Sequence, residues 1–365
     1  MTAVFRLEGF ELNVTSVPIN SSFVNSGLLN IISHTDLDGV TAAAVAWYAN
    51  PAGSPIKISL TGYGDVDNLI LEGLRRGDRV TALDLSPQFR NAVDEIDRTA
   101  REGEIILFDH HKSSREKVGN RHWALVDTSR CGASVYWHWL MENADEAIRA
   151  RVEILRDVVA VANDRDLWIN ENPDGRLWQA LVTLCGEYGV FSRLITNPSS
   201  VMTKPERELA NRFTAAQEER FKSARDGLIM SRIDGSKSRE MAYLGEGYLE
   251  FGDASDFCGS ILDDPKESIG RVALVALAFR RPSKTWAVSL RSRDGLAGEV
   301  TSLLKDGRAI RGGGHGDAAA LYFPANYSEK SIRESILAAI AAKTESSSGM
   351  GVTLGDLLKN AETKN

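Results

Sequence analysis

Between residues 28 and 144, short apolar runs alternate with helical patterns, and this alternation constrains the fold more than any other feature. Five runs predict strands: LLNIIS (28–33), IKISLTGYG (56–64), RVTALDLS (79–86), EIILFD (104–109) and HWALVD (122–127). The intervening segments predict helices, among them VTAAAVAWYA (40–49), NLILEGLRRG (68–77) and FRNAVDEIDRTAREG (89–103), and SVYWHWLMENA (134–144) predicts another. Strands that alternate with helices favour an α/β fold with a mainly parallel, doubly wound sheet.

The rest of the chain predicts a second, smaller α/β domain. A long helix over Thr203–Leu228 starts with the capping-box pair Thr203 and Glu206 and joins the two domains. After it, VALVALAF and TWAVSLRS flank RRPSK and predict a hairpin, followed by a helix, a glycine loop, the strand AALYF and the helix SIRESILAAIAAK. A chain of 365 residues is long for one core. We therefore predict a first domain over 1–200, a linker helix over 201–232, a second domain over 233–345 and a flexible tail over 346–365.

Charge and composition narrow the function classes. The formal net charge is −7, whereas proteins that grip long nucleic acids usually carry a basic face. No apolar run approaches the roughly 20 residues that span a bilayer, and the first residues do not resemble a signal peptide. Three widely spaced cysteines, Cys131, Cys185 and Cys258, are typical of a reducing compartment. We expect a cytoplasmic protein that binds neither a membrane nor a long duplex.

Acidic residues and histidines follow three predicted strands at the point where each strand ends. They are His34, Asp36 and Asp38 in SHTDLDG, Asp84 in ALDLSP, and Asp109, His110 and His111 in FDHH. In an open α/β sheet, ligands bind beyond the carboxyl ends of the strands. Each residue alone has an ordinary explanation as a turn, cap or surface residue, but three groups at one sheet edge indicate a site.

Carboxylates that crowd together with imidazoles at one sheet edge repel one another, and removing them from water costs free energy. Both effects are unfavourable unless a cation lies among these groups. Oxygen-rich sites with some imidazole suit manganese or magnesium better than a thiolate-preferring metal. The sequence therefore predicts a metal site, and the number of candidate ligands leaves open whether it holds one ion or two. Neighbouring side chains on a strand point to opposite faces, so we expect His110 and His111 to have different roles.

Ordered motifs give the chain a resemblance to a known superfamily. SHTDLDGVTAA, ALDLSP, FDHHKSS and VANDRDLW resemble the four motifs of the DHH phosphoesterases, and VSLRSR with RGGGHGDAAA resembles the DHH-associated C-terminal domain. The resemblance covers roughly residues 28–345, although DAAAL departs from the family pattern, in which glycine closes the last motif. It implies two divalent ions, with manganese preferred and magnesium as the alternative.

The resemblance also implies roles for individual residues. The implied metal ligands are His34 and Asp36 for one ion, Asp38, His110 and Asp164 for the other, and Asp84 as the bridge between them. Asp166 is implied as a neighbouring group. Asp164 and Asp166 are alternatives for the ligand position of this motif. The implied catalytic residues are Asp84, His111, which contacts the attacked phosphoryl group, and Asp109, which fixes an imidazole tautomer. The implied substrate-binding residues are Arg291, Gly313, Gly314 and His315.

On these grounds we expect a manganese-dependent phosphodiesterase of the nanoRNase kind. Its partners would be short single-stranded RNA or DNA oligonucleotides, hydrolysed to nucleoside 5′-monophosphates by water activated on two ions. The negative net charge favours this over RecJ-like processing of longer strands. The alternatives are hydrolysis of cyclic dinucleotides, dephosphorylation of adenosine 3′,5′-bisphosphate and, in a different class, a non-catalytic nucleotide sensor. A homodimer is left open.

Overall fold

The computed structural model describes residues 2–7, 10–15, 28–51, 53–100, 103–233, 239–262, 271–305, 309–314 and 316–347. The chain divides into two units, Met1–Thr214 and Ala215–Asn365. The first unit starts with an antiparallel pair of strands, β1 (Thr2–Leu7) and β2 (Phe10–Thr15).

A five-stranded parallel sheet forms the centre of the first unit. Its strands are β3 (Leu29–Ser33), β4 (Ile56–Leu60), β5 (Arg79–Leu83), β6 (Ile105–Asp109) and β7 (Ala124–Val126), in the order β4-β3-β5-β6-β7. The chain moves outward from β3 first to one side and then to the other, so the strand order reverses between β3 and β5. Ligands of open α/β sheets bind in the crevice at such a switch point.

Helices cover both faces of this sheet. They are α1 (Leu37–Ala49), α2 (Val66–Arg76), α3 (Arg90–Thr99), α4 (Lys112–Val118), α5 (Gly132–Asn143), α6 (Glu146–Glu153), α7 (Arg156–Asp166), α8 (Gly175–Cys185) and α9 (Glu187–Thr196). Ile31 packs in a core with residues of α1, α5 and α7, whereas its neighbour Ile32 packs with residues of α2 and α3. Adjacent strand residues thus bury opposite faces, and the predicted doubly wound α/β sheet is confirmed.

A long helix, α10 (Lys204–Asp226), crosses the boundary between the two units. Its start is the predicted capping box, in which the Thr203 N–H donates to Glu206 at 2.7 Å and the Glu206 N–H donates to the Thr203 hydroxyl at 3.4 Å. The Glu206 carboxylate also accepts from the Arg193 guanidinium at 2.9 Å. The capping box and this ion pair together fix the start of α10 to α9.

The second unit has a mixed six-stranded sheet. Its elements are β8 (Ile229–Arg232), β9 (Glu240–Leu244), α11 (Ala254–Leu262), β10 (Val272–Arg280), β11 (Trp286–Ser292), α12 (Leu296–Lys305), β12 (Arg311–Gly314), β13 (Ala318–Phe323) and α13 (Glu329–Ser347). The order is β12-β13-β11-β10-β9-β8, and β9 and β10 are its parallel pair. The predicted hairpin of β10 and β11 is confirmed. Residues of α12 and α13 cover one face, and residues of α10 and α11 cover the other.

Some elements differ from their predictions. β4 ends at Leu60 and not at Gly64, and the predicted glycine loop at 311–314 is a strand, because its backbone pairs with β13. α13 continues to Ser347, and the rest of the tail predicted over 346–365 lies outside the described residues. Within the described part of the chain, none of the helices has the length and hydropathy needed to cross a bilayer.

Candidate metal centre

The turn after β3 supplies three side chains of the candidate site. His34 follows the last strand residue, and its Nδ1 atom lies 2.8 Å from Oδ2 of Asp36. Oδ1 of Asp36 accepts the Gly39 N–H at 3.0 Å and caps the start of α1. A Cβ atom at Gly39 would overlap the carbonyl group of His34, so this turn requires glycine. The tight turn holds His34, Asp36 and Asp38 at the carboxyl end of the sheet.

Asp38 lies in the first turn of α1 and is buried against the N-terminus of α5. Its carboxylate oxygens accept the N–H groups of Gly132 at 2.6 Å and Ala133 at 2.8 Å. The first N–H groups of a helix lack partners within the helix, and negative charge is favoured beside them. A Cβ atom at Gly132 would lie 2.8 Å from Cβ of Asp84 and 3.1 Å from Oδ2 of Asp38. Helix α5 can therefore approach the site this closely only because residue 132 is glycine.

Asp84 follows β5 and has an unusual backbone conformation. Its φ angle is +54°, in the left-handed region that a residue with a side chain rarely adopts. Its N–H donates to the Phe108 carbonyl at 2.9 Å, which ties the end of β5 to β6. The buried carboxylate lies 3.6 Å from Nδ1 of His34 and 3.3 Å from Nε2 of His110. Strained residues of this kind persist where the surroundings hold them in place and are common at functional sites.

His110 and His111 follow the end of β6 and contact different carboxylates. Nε2 of His110 lies 3.3 Å from an oxygen of Asp84 and 3.3 Å from an oxygen of Asp166. Nδ1 of His111 lies 2.7 Å from Oδ1 of Asp109, which also accepts the His110 N–H at 2.7 Å. The two ring centroids are 4.2 Å apart, because both residues lie beyond the last strand residue. Hydrogen bonds, and not the expected alternation along a strand, thus distinguish the two imidazoles.

The last turn of helix α7 carries Asp164 and Asp166, and only Asp166 lies beside these side chains. Its Oδ2 atom is 3.3 Å from Nε2 of His110. The Asp164 carboxylate instead accepts the N–H groups of Glu171 at 2.9 Å and Asn172 at 3.1 Å, and so holds the turn after α7. Residues two apart on a helix do not share a face, so both cannot point to one site. The geometry favours Asp166, and not the expected Asp164, as the ligand from this helix.

The side chains form three overlapping groups, and within each group the potential ligand atoms lie within 4.8 Å of one another. The groups are His34, Asp36 and Asp84; Asp38, His110 and Asp166; and Asp84, Asp109, His110 and His111. Four buried atoms of these groups have no well-aligned hydrogen-bond partner among the described residues, although His110 Nε2 lies 3.3 Å from two of the others; the four are Asp84 Oδ1, Asp109 Oδ2, His110 Nε2 and Asp166 Oδ2. Buried polar atoms normally have partners. Unpaired oxygen and imidazole atoms that converge in this way fit a site for hard or borderline divalent cations.

The pKa values of the cluster indicate how strongly it favours positive charge. Burial and the carboxylates of Asp84 and Asp166 raise the pKa of Asp38 well above its usual value. Burial raises the pKa of Asp166 to about 7, although His110 opposes this rise. Burial alone would lower the pKa of His110, but Asp84, Asp166 and Asp38 raise it to about 10. Protons thus offset the crowded carboxylates, and bound divalent ions would displace those protons.

Tyr63, which was not predicted as a site residue, follows β4 at the same sheet edge. Its ring centroid lies 5.3 Å from that of His34 and 6.3 Å from that of His111. The rule that ligands bind beyond the carboxyl ends of the strands, which predicted the other site residues, applies to Tyr63 as well. The predicted strand over 56–64 was too long, and it placed Tyr63 inside the strand.

In the second unit, the half-buried Arg291 on β11 donates its hydrogen bonds to neutral oxygen atoms. Its Nη1 donates to the Ser289 hydroxyl at 3.2 Å and to the Leu290 carbonyl at 3.0 Å, and its Nη2 donates to the Ser255 hydroxyl at 3.1 Å. Burial lowers the pKa of its guanidinium. In the described ranges no carboxylate pairs with it, so it is a half-buried cation without a counter-charge there.

Gly313 and Gly314 lie on β12, the edge strand of the second sheet. Gly314 has a φ angle of +140°, and a Cβ atom there would overlap the Ala318 carbonyl, so this position requires glycine. His315 lies outside the described residues. A role of these three residues in substrate binding stays a prediction.

Comparison with solved structures identifies the fold. The sequence itself matches no family model and no curated protein. The DHH domain of a member of the s1p family of ribosomal proteins is 16% identical with a TM-score of 0.56, over 90% of this chain and 87% of that one. RecJ from Thermus thermophilus, in complex with Mn²⁺, is 16% identical with a TM-score of 0.54, over 86% of this chain and 52% of RecJ. The chain therefore spans about half the length of that RecJ.

The third comparison is PggH from Vibrio cholerae, described as a pGpG-specific phosphodiesterase. It is 12% identical with a TM-score of 0.50, and the match covers 86% of this chain and 99% of PggH. These likenesses show that the chain has the fold of the DHH-domain proteins. The fold that the motif resemblance implied is thereby confirmed.

Proposed function

We propose that the chain is a metal-dependent phosphoesterase that hydrolyses short linear oligonucleotides to nucleoside 5′-monophosphates. The observation that carries this proposal is the position of Asp84, which belongs both to the group with His34 and to the group with His110. Its carboxylate lies 3.6 Å from one of these imidazoles and 3.3 Å from the other. A carboxylate shared by two sets of ligands is what a pair of neighbouring divalent ions requires.

The proposed ligands follow these groups. They are His34, Asp36 and Asp84 for one ion, and Asp38, His110 and Asp166 for the other, with Asp84 added to this second set because it shares a group with His110. Carboxylate oxygens with imidazole nitrogens suit manganese, with magnesium as the alternative, and a RecJ of the same fold was solved in complex with Mn²⁺. When bound, the two ions would lower the pKa of a shared water and neutralise charge on the phosphoryl oxygens.

The protein's own residues orient the groups around the reacting phosphate. Asp109 accepts from Nδ1 of His111 at 2.7 Å, so Nε2 is the nitrogen that would contact a phosphoryl oxygen. Burial alone would lower the pKa of His111, but Asp109 and Asp84 raise it. A protonated imidazole is a stronger donor to a phosphoryl oxygen than a neutral one. Helix α5 holds Asp38 by two backbone N–H groups and prevents its rotation.

Two observations support a short, linear substrate. The net charge of −7 disfavours a long polyanion, and PggH, which shares the fold, is described as specific for pGpG. We propose that Arg291, Gly313, Gly314 and His315 hold the part of the substrate that is not cleaved, since half-buried Arg291 has no carboxylate partner among the described residues. A cytoplasmic location is part of the proposal, because the three cysteines are unpaired.

The test is product analysis by chromatography and mass spectrometry. Purified protein with manganese is given a 5′-phosphorylated dinucleotide, a longer RNA, a cyclic dinucleotide and adenosine 3′,5′-bisphosphate in parallel. We expect rapid release of monophosphates from the dinucleotide and slower release as length increases. Asp84→Asn should abolish turnover, and Asp94→Asn, on the exposed surface of α3, is the matched control that should retain it.

Other outcomes would redirect the proposal. Turnover confined to the cyclic dinucleotide or to the bisphosphate would preserve the metal chemistry and overturn the choice of substrate. Tight binding of a nucleotide by metal-free protein, without turnover of any substrate when manganese is present, would indicate a sensor.

A further inference from the structure

Tyr63 is an exposed aromatic residue at the edge of the candidate metal centre. It lies in the loop between β4 and α2, and 39% of its surface is exposed. The other side chains of this metal centre are carboxylates, which bind cations, and imidazoles, which bind cations or contact a phosphate. A large, partly exposed aromatic ring serves neither purpose directly.

The Tyr63 ring contacts both histidines that border the cluster. Its centroid lies 5.3 Å from His34 at an interplanar angle of 44°, and 6.3 Å from His111 at 80°. These contacts hold the ring next to the ligands of one proposed ion and next to the imidazole proposed to contact the phosphoryl group. Any group attached to a phosphate bound there would lie within reach of the ring.

The hydroxyl group of Tyr63 does not explain its presence. It lies 3.5 Å from Nε2 of His111, beyond the usual range of about 2.7–3.2 Å for a hydrogen bond. The aromatic ring of Tyr63, and not its hydroxyl group, therefore needs an explanation, because the hydroxyl makes no short polar contact to His111.

Two glycines flank the ring and leave open space beside it. At both Gly62 and Gly64, an added Cβ atom would meet nothing within 4 Å. Neither glycine has a positive φ angle, so neither backbone conformation nor close packing requires glycine there. Because neither glycine has a side chain, the neighbours of Tyr63 in the chain do not cover the exposed part of its ring, which stays open to a flat group.

We propose that Tyr63 is the stacking surface for a nucleobase of the substrate, and that the group attached to the attacked phosphate is therefore a nucleoside. This inference rests on the proposed function. Stacking of a base on an aromatic side chain is tolerant of base identity, because every base has a π face. Tyr63 thus selects nucleotides as a class and does not select among bases.

The experiment measures kcat/KM for three dinucleotides in the manganese-loaded protein. One dinucleotide is complete, and each of the others lacks one of the two bases. The variants are Tyr63→Leu, which removes the ring, Tyr63→Phe, which keeps the ring and removes the hydroxyl, and Tyr63→Trp, which enlarges the stacking surface. Bound manganese is measured for each variant, so that loss of metal is recognised separately.

We expect Tyr63→Leu to lower kcat/KM for the complete dinucleotide by about tenfold or more, mainly through KM, as loss of one stacked base would. For one of the two abasic substrates, Tyr63→Leu and the unaltered protein should differ by less than about threefold. Tyr63→Phe and Tyr63→Trp should behave like the unaltered protein. An equal loss on all three substrates, no loss on any, or a loss in Tyr63→Phe as large as in Tyr63→Leu would overturn the inference. Failure of the unaltered protein to cleave the complete dinucleotide would instead reject the proposed function.

Discussion

A Cβ atom at residue 132 would lie 2.8 Å from the Cβ atom of Asp84, so Gly132 and Asp84 are packed as closely as a glycine allows. This contact places the N-terminus of α5 over the proposed bridging carboxylate. In Gly132→Ala the methyl group must displace Asp84 or α5. We expect activity to fall by about 100-fold, because small displacements at reacting centres have effects of that size. Gly189→Ala, on α9, is the control and should leave activity unchanged, and normal activity of Gly132→Ala would contradict the packing described here.

Asp166 and Asp164 should respond differently to substitution. Asp166→Asn removes a proposed ligand, and we expect manganese affinity, measured by titration calorimetry, to fall by at least about tenfold. Asp164→Asn weakens the hydrogen bonds to the N–H groups of Glu171 and Asn172, so it should destabilise the protein by about 1 kcal/mol while manganese still binds. If Asp164→Asn lost manganese affinity and Asp166→Asn retained it, Asp164 and not Asp166 would be the ligand.

Asp109 should act on the rate through His111. Asp109→Asn replaces the carboxylate that accepts from Nδ1 of His111, so the imidazole loses its fixed tautomer and orientation. We expect kcat to fall by about 10–100-fold while manganese stoichiometry is retained. Steady-state kinetics combined with metal analysis separate these quantities. Full kcat in Asp109→Asn would show that His111 does not depend on this hydrogen bond.

Asp253 should contribute to acid sensitivity of the second unit. Burial alone would raise the pKa of Asp253, but hydrogen bonds from Arg220, Gln217 and the Glu250 N–H hold it below its usual value. A carboxyl group whose pKa is lowered in the folded state stabilises the protein at pH values above the pKa that the group has in the unfolded state. This stabilisation is lost as the pH falls through the folded-state pKa. We therefore expect the free energy of unfolding to decrease as the pH falls below about 4, the ordinary pKa of an aspartate.

The corresponding variant isolates this contribution. Asp253→Asn should lower the free energy of urea unfolding by about 2 kcal/mol near neutral pH, and the difference from the unaltered protein should shrink in acid. Asp226→Asn is the control, because Asp226 is exposed at the end of α10, the helix that carries Arg220 and Gln217; it should leave the pH dependence unchanged. A difference for Asp253→Asn that does not vary with pH would exclude a role of its charge.

The fold was predictable because its sheet repeats a local pattern. Parallel strands buried on both faces are short apolar runs, and the sequence shows such runs at β3, β5 and β6. The strand β12 was not predictable, because RGGG lacks the side chains that a period-two pattern needs, and its pairing with β13 defines it. The predicted end of β4 was wrong, since the ladder with β3 stops at Leu60.

The site was predictable where a residue follows a strand and unpredictable where tertiary packing decides. His34, Asp84 and His110 follow strand ends, and the structure brings them together. The choice between Asp164 and Asp166 depends on how the chain turns after α7, which the helix pattern does not contain. Gly132 gave no signal, because its role comes from the approach of α5 to Asp84.

Hydrolysis by this protein should require two ions held around Asp84. The most direct measurement is a titration of metal-free protein with manganese, in which bound metal and dinucleotide hydrolysis are recorded in the same samples. We predict that hydrolysis rises as the second ion binds and that Asp84→Asn neither fills both sites nor turns over substrate. Full hydrolysis in the presence of a strong chelator, or by Asp84→Asn, would show that hydrolysis does not depend on two ions around Asp84.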